Sequence, residues 1–337
     1  MKKFFSVLLT VLTAAVLAFS LTACEKPSEG LDYELNENQN AYYVTGLGTC
    51  ADTNIVIPSE YQGLPVIGIG NRAFYGCTSL TSITIPDSVT SIGDSAFSNC
   101  PALTNVTIGN SVTSIGICAF IGCSALTNIT IPDSVTSIGE GAFSHCSSLT
   151  SINIPYGVTN IADYAFENCT SLTSIYIPDS VTNIGNYAFK NCPLNYNEYD
   201  NAYYLGNESN PYLALVKVKT KFITSCSINK NTKIIGMYVF STCSLTSVAI
   251  PTGVSSIGES TFSNCSSLAS VTIPESVTSI GENAFLYCIS LTSITYNGTM
   301  EQWDAVAKHD SWDANTGDYT IHCTDGDITK TKLPTDA

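Results

Sequence analysis

Residues 79–100 read SLTSITIPDSVTSIGDSAFSNC, and close copies of this string follow one another along most of the chain. Each copy carries a phenylalanine and, three residues later, a cysteine; in the first block these pairs recur with a period of 23 residues. The pairs are Phe74/Cys77, Phe97/Cys100, Phe120/Cys123, Phe143/Cys146, Phe166/Cys169 and Phe189/Cys192, followed by Phe240/Cys243, Phe262/Cys265 and Phe285/Cys288. Self-similarity at a fixed period of about 20 to 30 residues is typical of a solenoid, in which each repeat covers the apolar face of its neighbour.

The first half of one copy predicts a strand followed by a second extended segment. Leu80, Ile83 and Ile85 follow the L-x-x-L-x-L pattern of a leucine-rich repeat strand. Pro86 ends that strand, because proline cannot donate to the ladder and fixes φ. Residues 89–92 then form a shorter extended segment whose valine and isoleucine point inward.

The second half of the copy predicts a turn that carries the phenylalanine and the cysteine. Gly93 is suited to a positive φ, and Asp94 is suited to capping a short helical turn over Ala96, Phe97 and Cys100. Every inward position of the copy is apolar, and every outward position is Ser, Thr, Asn or Asp. The coil therefore closes after the cysteine, and the next coil begins.

The recurring string I-P-D-S-V-T-S-I-G-x-x-A-F-x-x-C resembles the BspA-like leucine-rich repeat family of bacterial surface proteins, over roughly residues 50–300. The resemblance implies a leucine-rich repeat solenoid, mainly β with short helical or 3-10 turns, that carries a parallel sheet on one face. It also implies a mostly adhesive role, in which members bind host or matrix proteins and other cells.

Irregular segments divide the chain around the repeats. Residues 31–49 predict an N-terminal hairpin cap, because two strand patterns flank an Asn-rich turn. The other units are expected at 50–194 (first repeat block), 195–233 (hairpin island), 234–295 (second repeat block) and 296–337 (C-terminal cap and tail). Within the cap, residues 300–308 predict a helix.

The island repeats the string Asn-Ala-Tyr-Tyr of residues 40–43 at 201–204, which predicts a further hairpin. Lys217, Lys219 and Lys221 alternate there, so we expect them to share one face of a strand. One interpretation is a solvated edge strand that lysines protect against aggregation. The other is a docking patch for an acidic ligand.

The N-terminus has the features of a secretory signal. Lys2 and Lys3 precede an apolar run at 4–19, and small residues follow before Cys24. The ending Leu-Thr-Ala-Cys resembles the bacterial lipobox, which implies cleavage after residue 23 and lipidation of the Cys24 thiol, with residues 24–30 as a tether. The alternatives are an ordinary signal peptide and a membrane span, although the run is shorter than the ~20 residues that a span prefers. The implied location is the extracellular face of a bacterial cell membrane, with the protein held by its lipid anchor.

The charge pattern excludes nucleic acid as a partner. The formal net charge is −15, Arg72 is the single arginine, and no Lys or Arg occurs between Ala73 and Phe189. Nucleic-acid binding requires clustered cations that replace condensed counterions. The main repeat block contains none, whereas its abundant Ser, Thr and Asn suit a neutral surface outside the cell.

The cysteines predict a ladder of free thiols. The chain has 14 Cys, so loss of Cys24 to lipidation leaves an odd number, and nine of the rest hold one repeat position. Cysteine acts there as a small buried hydrophobe beneath phenylalanine. Pairing between adjacent coils, about 4.8 Å apart, is the alternative. No Cys-x-x-Cys pair occurs, so neither a metal site nor a cofactor is expected.

No catalytic constellation appears in the sequence. The three histidines are His145, His309 and His322, and neither a G-x-S-x-G nor an H-E-x-x-H motif is present. Carboxylates such as Asp87 and Asp133 occupy a recurring turn position, so periodicity explains them. We therefore expect a protein that is not an enzyme.

The candidate binding face is the outward side of the repeat strands. Its side chains are mostly Ser, Thr and Asn, with one aromatic departure that could anchor a ligand, since tyrosine is enriched at contact hot spots. The candidate ligand-binding residues are Asn128, Thr130, Ser151, Asn153, Ser174 and Tyr176. The leading hypothesis is recognition of, or adhesion to, a host protein, a matrix protein or another cell-surface protein. Glycan binding and a structural role in the envelope are the alternatives.

Overall fold

The structure is a computed structural model that describes residues 26–330. Cys24 and the residues of the expected signal lie outside this range. In chain order the elements are β1 (Asp32–Leu35), β2 (Tyr42–Gly46), β3 (Asn54–Val56), β4 (Glu60–Tyr61), β5 (Leu64–Ile69), β6 (Ser82–Thr84), β7 (Ser91–Ile92), β8 (Asn105–Thr107), β9 (Ser114–Ile115), β10 (Ser137–Ile138), β11 (Ser151–Asn153), β12 (Asn160–Ile161), β13 (Ser174–Tyr176), β14 (Asn183–Ile184), β15 (Asn197–Tyr199), β16 (Ala202–Leu205), β17 (Ala214–Val218), β18 (Ile234–Ile235), β19 (Ser247–Ala249), β20 (Ser256–Ile257), β21 (Ser270–Ile273), β22 (Ser279–Ile280), β23 (Ser293–Tyr296), α1 (Met300–Ala305), β24 (Ala307–Lys308), β25 (Tyr319–Cys323) and β26 (Gly326–Lys330).

Most regular coils contribute two strands, each of which pairs in parallel with the equivalent strand of the next coil. The longer strands form the ladders β3–β6–β8, β11–β13 and β19–β21–β23–β25, and the shorter ones form β5–β7–β9–β10, β12–β14 and β20–β22–β24. The register advances by one repeat, as in the pairing of Ser82 with Asn105 and of Ser91 with Ser114. The predicted solenoid, its parallel sheet and the second extended segment are therefore confirmed.

The core is a column of apolar side chains that runs through the coils. Leu80, Ile83 and Val89 of one coil are at most 2% exposed. The phenylalanine rings stack face to face from coil to coil: the Phe97–Phe120 centroids are 5.1 Å apart, and the ring planes differ by 10°. Burial of this apolar surface, about 25 cal/mol per Å², is the main force that holds the coils together.

The segment that carries the phenylalanine and the cysteine is a series of turns, which corrects the expected short helical turn. Its N–H groups alternate in direction: that of Phe97 donates to Ala119 of the next coil at 2.8 Å, whereas that of Ser98 donates to Ser95 of the same coil at 3.1 Å. Ser95 and Asn99 hold φ values of +53° and +57°. A helix would direct its N–H groups along its own axis, so it could not form this ladder between coils.

The recurring glycine is required by close approach of the coils, which corrects the expectation of a positive φ at Gly93. A Cβ atom at Gly139 would lie 2.6 Å from the carbonyl carbon of Gly116 in the preceding coil. Asp94, expected to cap a helix, instead accepts the N–H of Ile117 in the next coil, with 2.8 Å between N and Oδ1.

The cysteines of the repeat lie beside the phenylalanine ladder as free thiols. Cys146 Sγ donates to the Phe120 carbonyl at 3.2 Å, and Cys169 Sγ donates to the Phe143 carbonyl at 3.1 Å. Burial raises the pKa of the Cys146 thiol to about 12, because a thiolate loses its hydration in the core. The thiol therefore stays protonated and donates to the adjacent coil.

Both ends of the solenoid are closed by antiparallel strands. At the N-terminal end β1 pairs with β2, which in turn pairs in parallel with β5. At the other end β25 pairs with β26. The helix of the C-terminal cap ends at Ala305, earlier than the expected residue 308, because Ala307 and Lys308 pair with β22 instead. Trp303 and Trp312, which both belong to this cap, are buried.

The island inserts a hairpin into the solenoid and interrupts its core. β15 pairs antiparallel with β16, β16 pairs antiparallel with β17, and β17 returns to pair in parallel with β18. Because β17 ends at Val218, only Lys217 of the three alternating lysines lies in a strand, which corrects that expectation. The buried apolar residues before and after the island belong to two separate clusters.

We predict that Phe143→Ala lowers the free energy of unfolding by about 3–5 kcal/mol, because it leaves a cavity between two stacked rings. Phe143 is fully buried, and its ring centroid lies 5.4 Å from that of Phe120 and 5.6 Å from that of Phe166. Phe222, which is 85% exposed, supplies the control: Phe222→Ala should change stability by less than about 0.5 kcal/mol. Urea unfolding followed by circular dichroism measures both, and equal losses would contradict the stacked core.

We also predict that alkylation of the native protein by iodoacetamide at pH 8 modifies the half-buried Cys50, Cys118 and Cys323 but spares Cys146 and Cys169. In urea without a reductant, all of these thiols should react. Peptide mass spectrometry measures the modification at each position. Ladder cysteines that react in urea only after reduction would show disulfides in place of free thiols.

Candidate binding face

The expected binding face reaches its most distinctive point at β11 and β13. The two strands pair in parallel, so that Ser151 lies beside Ser174 and Asn153 lies beside Tyr176. The side chains of Ser151, Asn153 and Ser174 are exposed because alternate residues of a strand point away from the core. The structure thus brings four of the six sequence-predicted residues together on one surface.

A second tyrosine, which sequence reasoning missed, lies against Tyr176. The hydroxyl oxygens of Tyr156 and Tyr176 are 3.0 Å apart, and the ring centroids are 6.4 Å apart. Tyr156 is 65% exposed. It follows Pro155 at the position where the other repeats have Asp, Asn, Glu or Thr, such as Asp133 and Asp179. Comparing the residue after the proline in each repeat, and not only the residues of the strand, would have identified Tyr156.

The other two predicted residues, Asn128 and Thr130, lie in a coil that interrupts the sheet. No strand forms at 127–131, although Ile129 and Ile131 remain buried. This coil therefore keeps its buried apolar side chains, but it does not form the strand pairing with β8 and β11 that would continue the sheet. We refer to this interruption as the crease.

A shallow depression lies between the crease and the tyrosine pair. Its volume is about 230 Å³, and its walls include Asp133, Asn153, Pro155, Tyr156 and Tyr176. The floor is apolar, formed by the isoleucines at 131 and 154. The depression thus combines two aromatic rings with one carboxylate and one amide, a mixture typical of recognition sites.

The electrostatic surroundings of the tyrosine pair are acidic. The hydrogen bond with Tyr156 raises the pKa of Tyr176, and burial and the negative charges of Asp179 and Glu208 raise it further. The Tyr176 hydroxyl therefore stays protonated at neutral pH and can donate to a partner's acceptor. The neighbouring carboxylates favour a partner with cationic groups nearby.

The small polar side chains of the face are free to bind. Those of Thr130, Ser151, Asn153 and Ser174 form no hydrogen bond to any residue between 26 and 330. By contrast, the threonine before the strand is already used within the fold, since Thr150 Oγ1 donates to the Thr127 carbonyl at 3.3 Å.

The three histidines each contact a neighbouring polar side chain of the fold. His145 is a turn residue with a φ of +60°, and its Nε2 lies 3.2 Å from the amide nitrogen of Asn168. His322 Nδ1 pairs with Asp327 in the C-terminal hairpin at 2.9 Å. Within residues 26–330, no group of three or more His, Cys, Asp or Glu side chains is placed to hold a metal ion.

A family model described as the BspA type leucine rich repeat region matches residues 67–195 and 218–309, with six copies of the repeat. The chain belongs to the BspA-type leucine-rich repeat family. The match covers more than half of the chain, and its gap at 196–217 coincides with the inserted hairpin formed by β15 and β16. The repeat columns compared above are therefore the columns of a BspA-type repeat, and Tyr156 and Tyr176 are departures within it.

Solved structures of bacterial leucine-rich repeat proteins are similar to this chain. One is a leucine-rich cell surface protein of Faecalibacterium prausnitzii, at 30% identity over 84% of this chain and 97% of that one, with a TM-score of 0.49. Another is the leucine-rich repeat protein of T. pallidum, at 23% identity over 79% and 90%, with a TM-score of 0.40. A third, from Bacteroides ovatus, has 25% identity over 88% and 99%, with a TM-score of 0.34. Comparison with curated proteins gave no match.

Within residues 26–330 of this BspA-type protein, no helix combines the length and the apolar character that crossing a bilayer requires.

Proposed function

We propose that this BspA-type protein is a non-enzymatic, lipid-anchored protein of the bacterial cell surface that binds another protein through the outward face of β11 and β13. Membership of the BspA-type family supports a binding or adhesive role in general. The observation that carries the specific proposal is the exposed Tyr156–Tyr176 pair beside the crease. The partner is a host or matrix protein, or a protein of another cell.

A protein partner is favoured by the chemistry of this surface. Tyrosine supplies a large contact area at a low cost in conformational entropy, and interface hot spots are enriched in it. Around the pair, Ser151, Asn153 and Ser174 offer donors and acceptors that have no partner within the described part of the fold. An aromatic centre with a polar rim is the usual anatomy of a protein interface.

Glycan binding remains the second candidate, because the depression has a suitable composition. Asp133 and Asn153 provide a carboxylate and an amide beside two tyrosine rings. Such groups can hydrogen-bond to sugar hydroxyls while a ring packs against the sugar face. A structural role in the envelope, without a ligand, is the third candidate.

We predict that the soluble chain from residue 25 onward binds at least one extracellular-matrix or cell-surface protein on an array, and that Tyr156→Ala with Tyr176→Ala weakens this binding by about tenfold or more. The matched control is Tyr75→Ala with Tyr287→Ala, because both tyrosines are about half exposed and lie in turn segments away from β11 and β13. The control should bind like the parent protein.

The other outcomes of this experiment separate the candidates. Equal loss in both double variants would refute the tyrosine pair as the contact site. Binding to a parallel glycan array that depends on Tyr156 and Tyr176 would promote the second candidate. No binding on either array, together with altered envelope integrity in a deletion strain, would favour the structural role.

We further predict that Cys24→Ser prevents attachment of radiolabelled fatty acid and shifts the protein from the membrane fraction to the medium or the soluble fraction. The physical reason is that two or more acyl chains, at about 0.8 kcal/mol per buried methylene, hold a protein stably at a membrane. Cys50→Ser is the control, since that thiol is part of the described fold. An unchanged distribution of the Cys24→Ser variant would rule out the lipid anchor.

A further inference from the structure

A deep cleft of about 610 Å³ separates the two repeat blocks on the turn side of the solenoid. One wall is the turn segment at 185–192, and the other is the turn segment at 236–239. Residues 216–221, at the end of β17 and after it, form the floor. This cleft, which we call the interblock cleft, shares no lining residue with the depression beside Tyr156 and Tyr176.

The interblock cleft exists because one coil lacks the turn with the A-F-x-x-C motif. Gly236 N donates to Leu215 O, just as Gly185 N donates to Ile161 O in the regular coils. The coil without the motif is therefore the one that contains Leu215. No A-F-x-x-C motif occurs between Val216 and Ile234, where β18 begins. One phenylalanine is thus missing from the ladder, and Phe189, next to the gap, is only partly buried.

The wall at 185–192 presents backbone donors that the missing turn would have paired. In the preceding coil, the N–H groups of Tyr164, Phe166 and Asn168 donate to the carbonyls of Asn186, Ala188 and Lys190. The N–H groups at the equivalent positions are those of Tyr187, Phe189 and Asn191, and none of them donates to another described residue. Three amide donors at alternate positions are therefore open toward the cleft.

The opposite wall offers acceptors in the same pattern. By the periodicity of the ladder, the carbonyls of Met237 and Val239 would accept N–H groups from a preceding turn, and neither accepts a backbone N–H in the described fold. The Val239 carbonyl accepts Lys221 Nζ at 3.1 Å instead. An inserted extended backbone could pair with both walls, because its own N–H and C=O groups alternate.

The charge of the cleft is opposite to that of the whole protein. Four of the ten cations among the described residues line it, although the formal net charge of the chain is −15. These four are Lys190, Lys217, Lys219 and Lys221. Lys190 pairs with Glu167 and Lys219 pairs with Glu198, but both pairs are exposed and therefore weak. Lys217 and Lys221 have no carboxylate partner among the described residues.

We propose that the interblock cleft binds an extended acidic peptide segment of a partner protein, whose backbone completes the interrupted ladder between the two repeat blocks. Its backbone hydrogen bonds would supply affinity, as in other cases where a peptide adds a strand to an open edge, while the lysines select acidic side chains. A polysaccharide could contact the lysines, but it lacks the alternating donors and acceptors that match the two walls.

Selection from a displayed library of random peptides tests the proposal. The bait is the chain from residue 25 onward, and the counter-selected bait carries Lys217→Glu with Lys221→Glu. We expect acidic peptides to be enriched on the parent and to bind this variant about tenfold or more weakly. The control, Lys26→Glu with Lys230→Glu, has the same net charge but changes exposed lysines outside the cleft, so it should bind like the parent.

Hydrogen exchange of the complex with a selected peptide supplies a readout that charge attraction alone would not change. The amides of Tyr187, Phe189 and Asn191 should exchange rapidly in the free protein and at least tenfold more slowly in the complex. The already paired amides of Tyr164 and Phe166 should be protected in both states. Either of two results would overturn the proposal: no enrichment of acidic peptides on the parent over the Lys217/Lys221 variant, or lysine-dependent binding that leaves the three amides unprotected.

Discussion

Every coil of this solenoid leaves part of its backbone hydrogen-bonding capacity to be satisfied by the next coil, and the rest of the structure depends on this constraint. Strands at 82–84 and 105–107 pair directly, and alternate amides of the turn segments pair in the same direction. Such pairing requires a fixed spacing between coils, so the phenylalanine rings stack at 5.1–5.9 Å, and glycine is required where the backbones approach most closely. It also leaves open groups at each end, which the antiparallel strands β1 and β26 cover.

The architecture was predictable because the same pattern of apolar and polar residues recurs many times along the chain. The alternation of Leu80, Ile83 and Ile85 with small polar residues defines an inward and an outward side without reference to the neighbouring coils. The turn segment was not predictable from one copy, because Ala96, Phe97 and Cys100 have the same spacing in a helix and in a turn with two left-handed residues. The difference lies in where the N–H groups donate, and that is a property of two adjacent coils.

The candidate site was predictable only in part, for a related reason. Tyr176 stands out because it is the one aromatic residue at a position where the other repeats have Thr, Asn or Ala. Tyr156 belongs to another column, and the two rings meet because adjacent coils bring residues 20 positions apart within 3.0 Å at their hydroxyls. The crease at 127–131 gives no signal in the sequence, since Ile129 and Ile131 keep the apolar pattern of a strand. Whether this surface binds a ligand therefore stays a prediction.

In a repeat protein, a local departure from the repeat changes the surface without changing the fold, because each coil contacts only its neighbours. The crease leaves a depression beside the two tyrosines, and the missing turn leaves a cleft with three open amides. The two departures differ in charge, since carboxylates surround the tyrosine pair and lysines line the interblock cleft. Opposite charges select different partners, so a chain that carries both is suited to contact two chemically distinct segments. The coil that carries Tyr176 continues through β14 into the turn segment at 185–192, so a single coil contributes to both surfaces and holds them at a fixed separation. This separation would decide whether one partner could reach both.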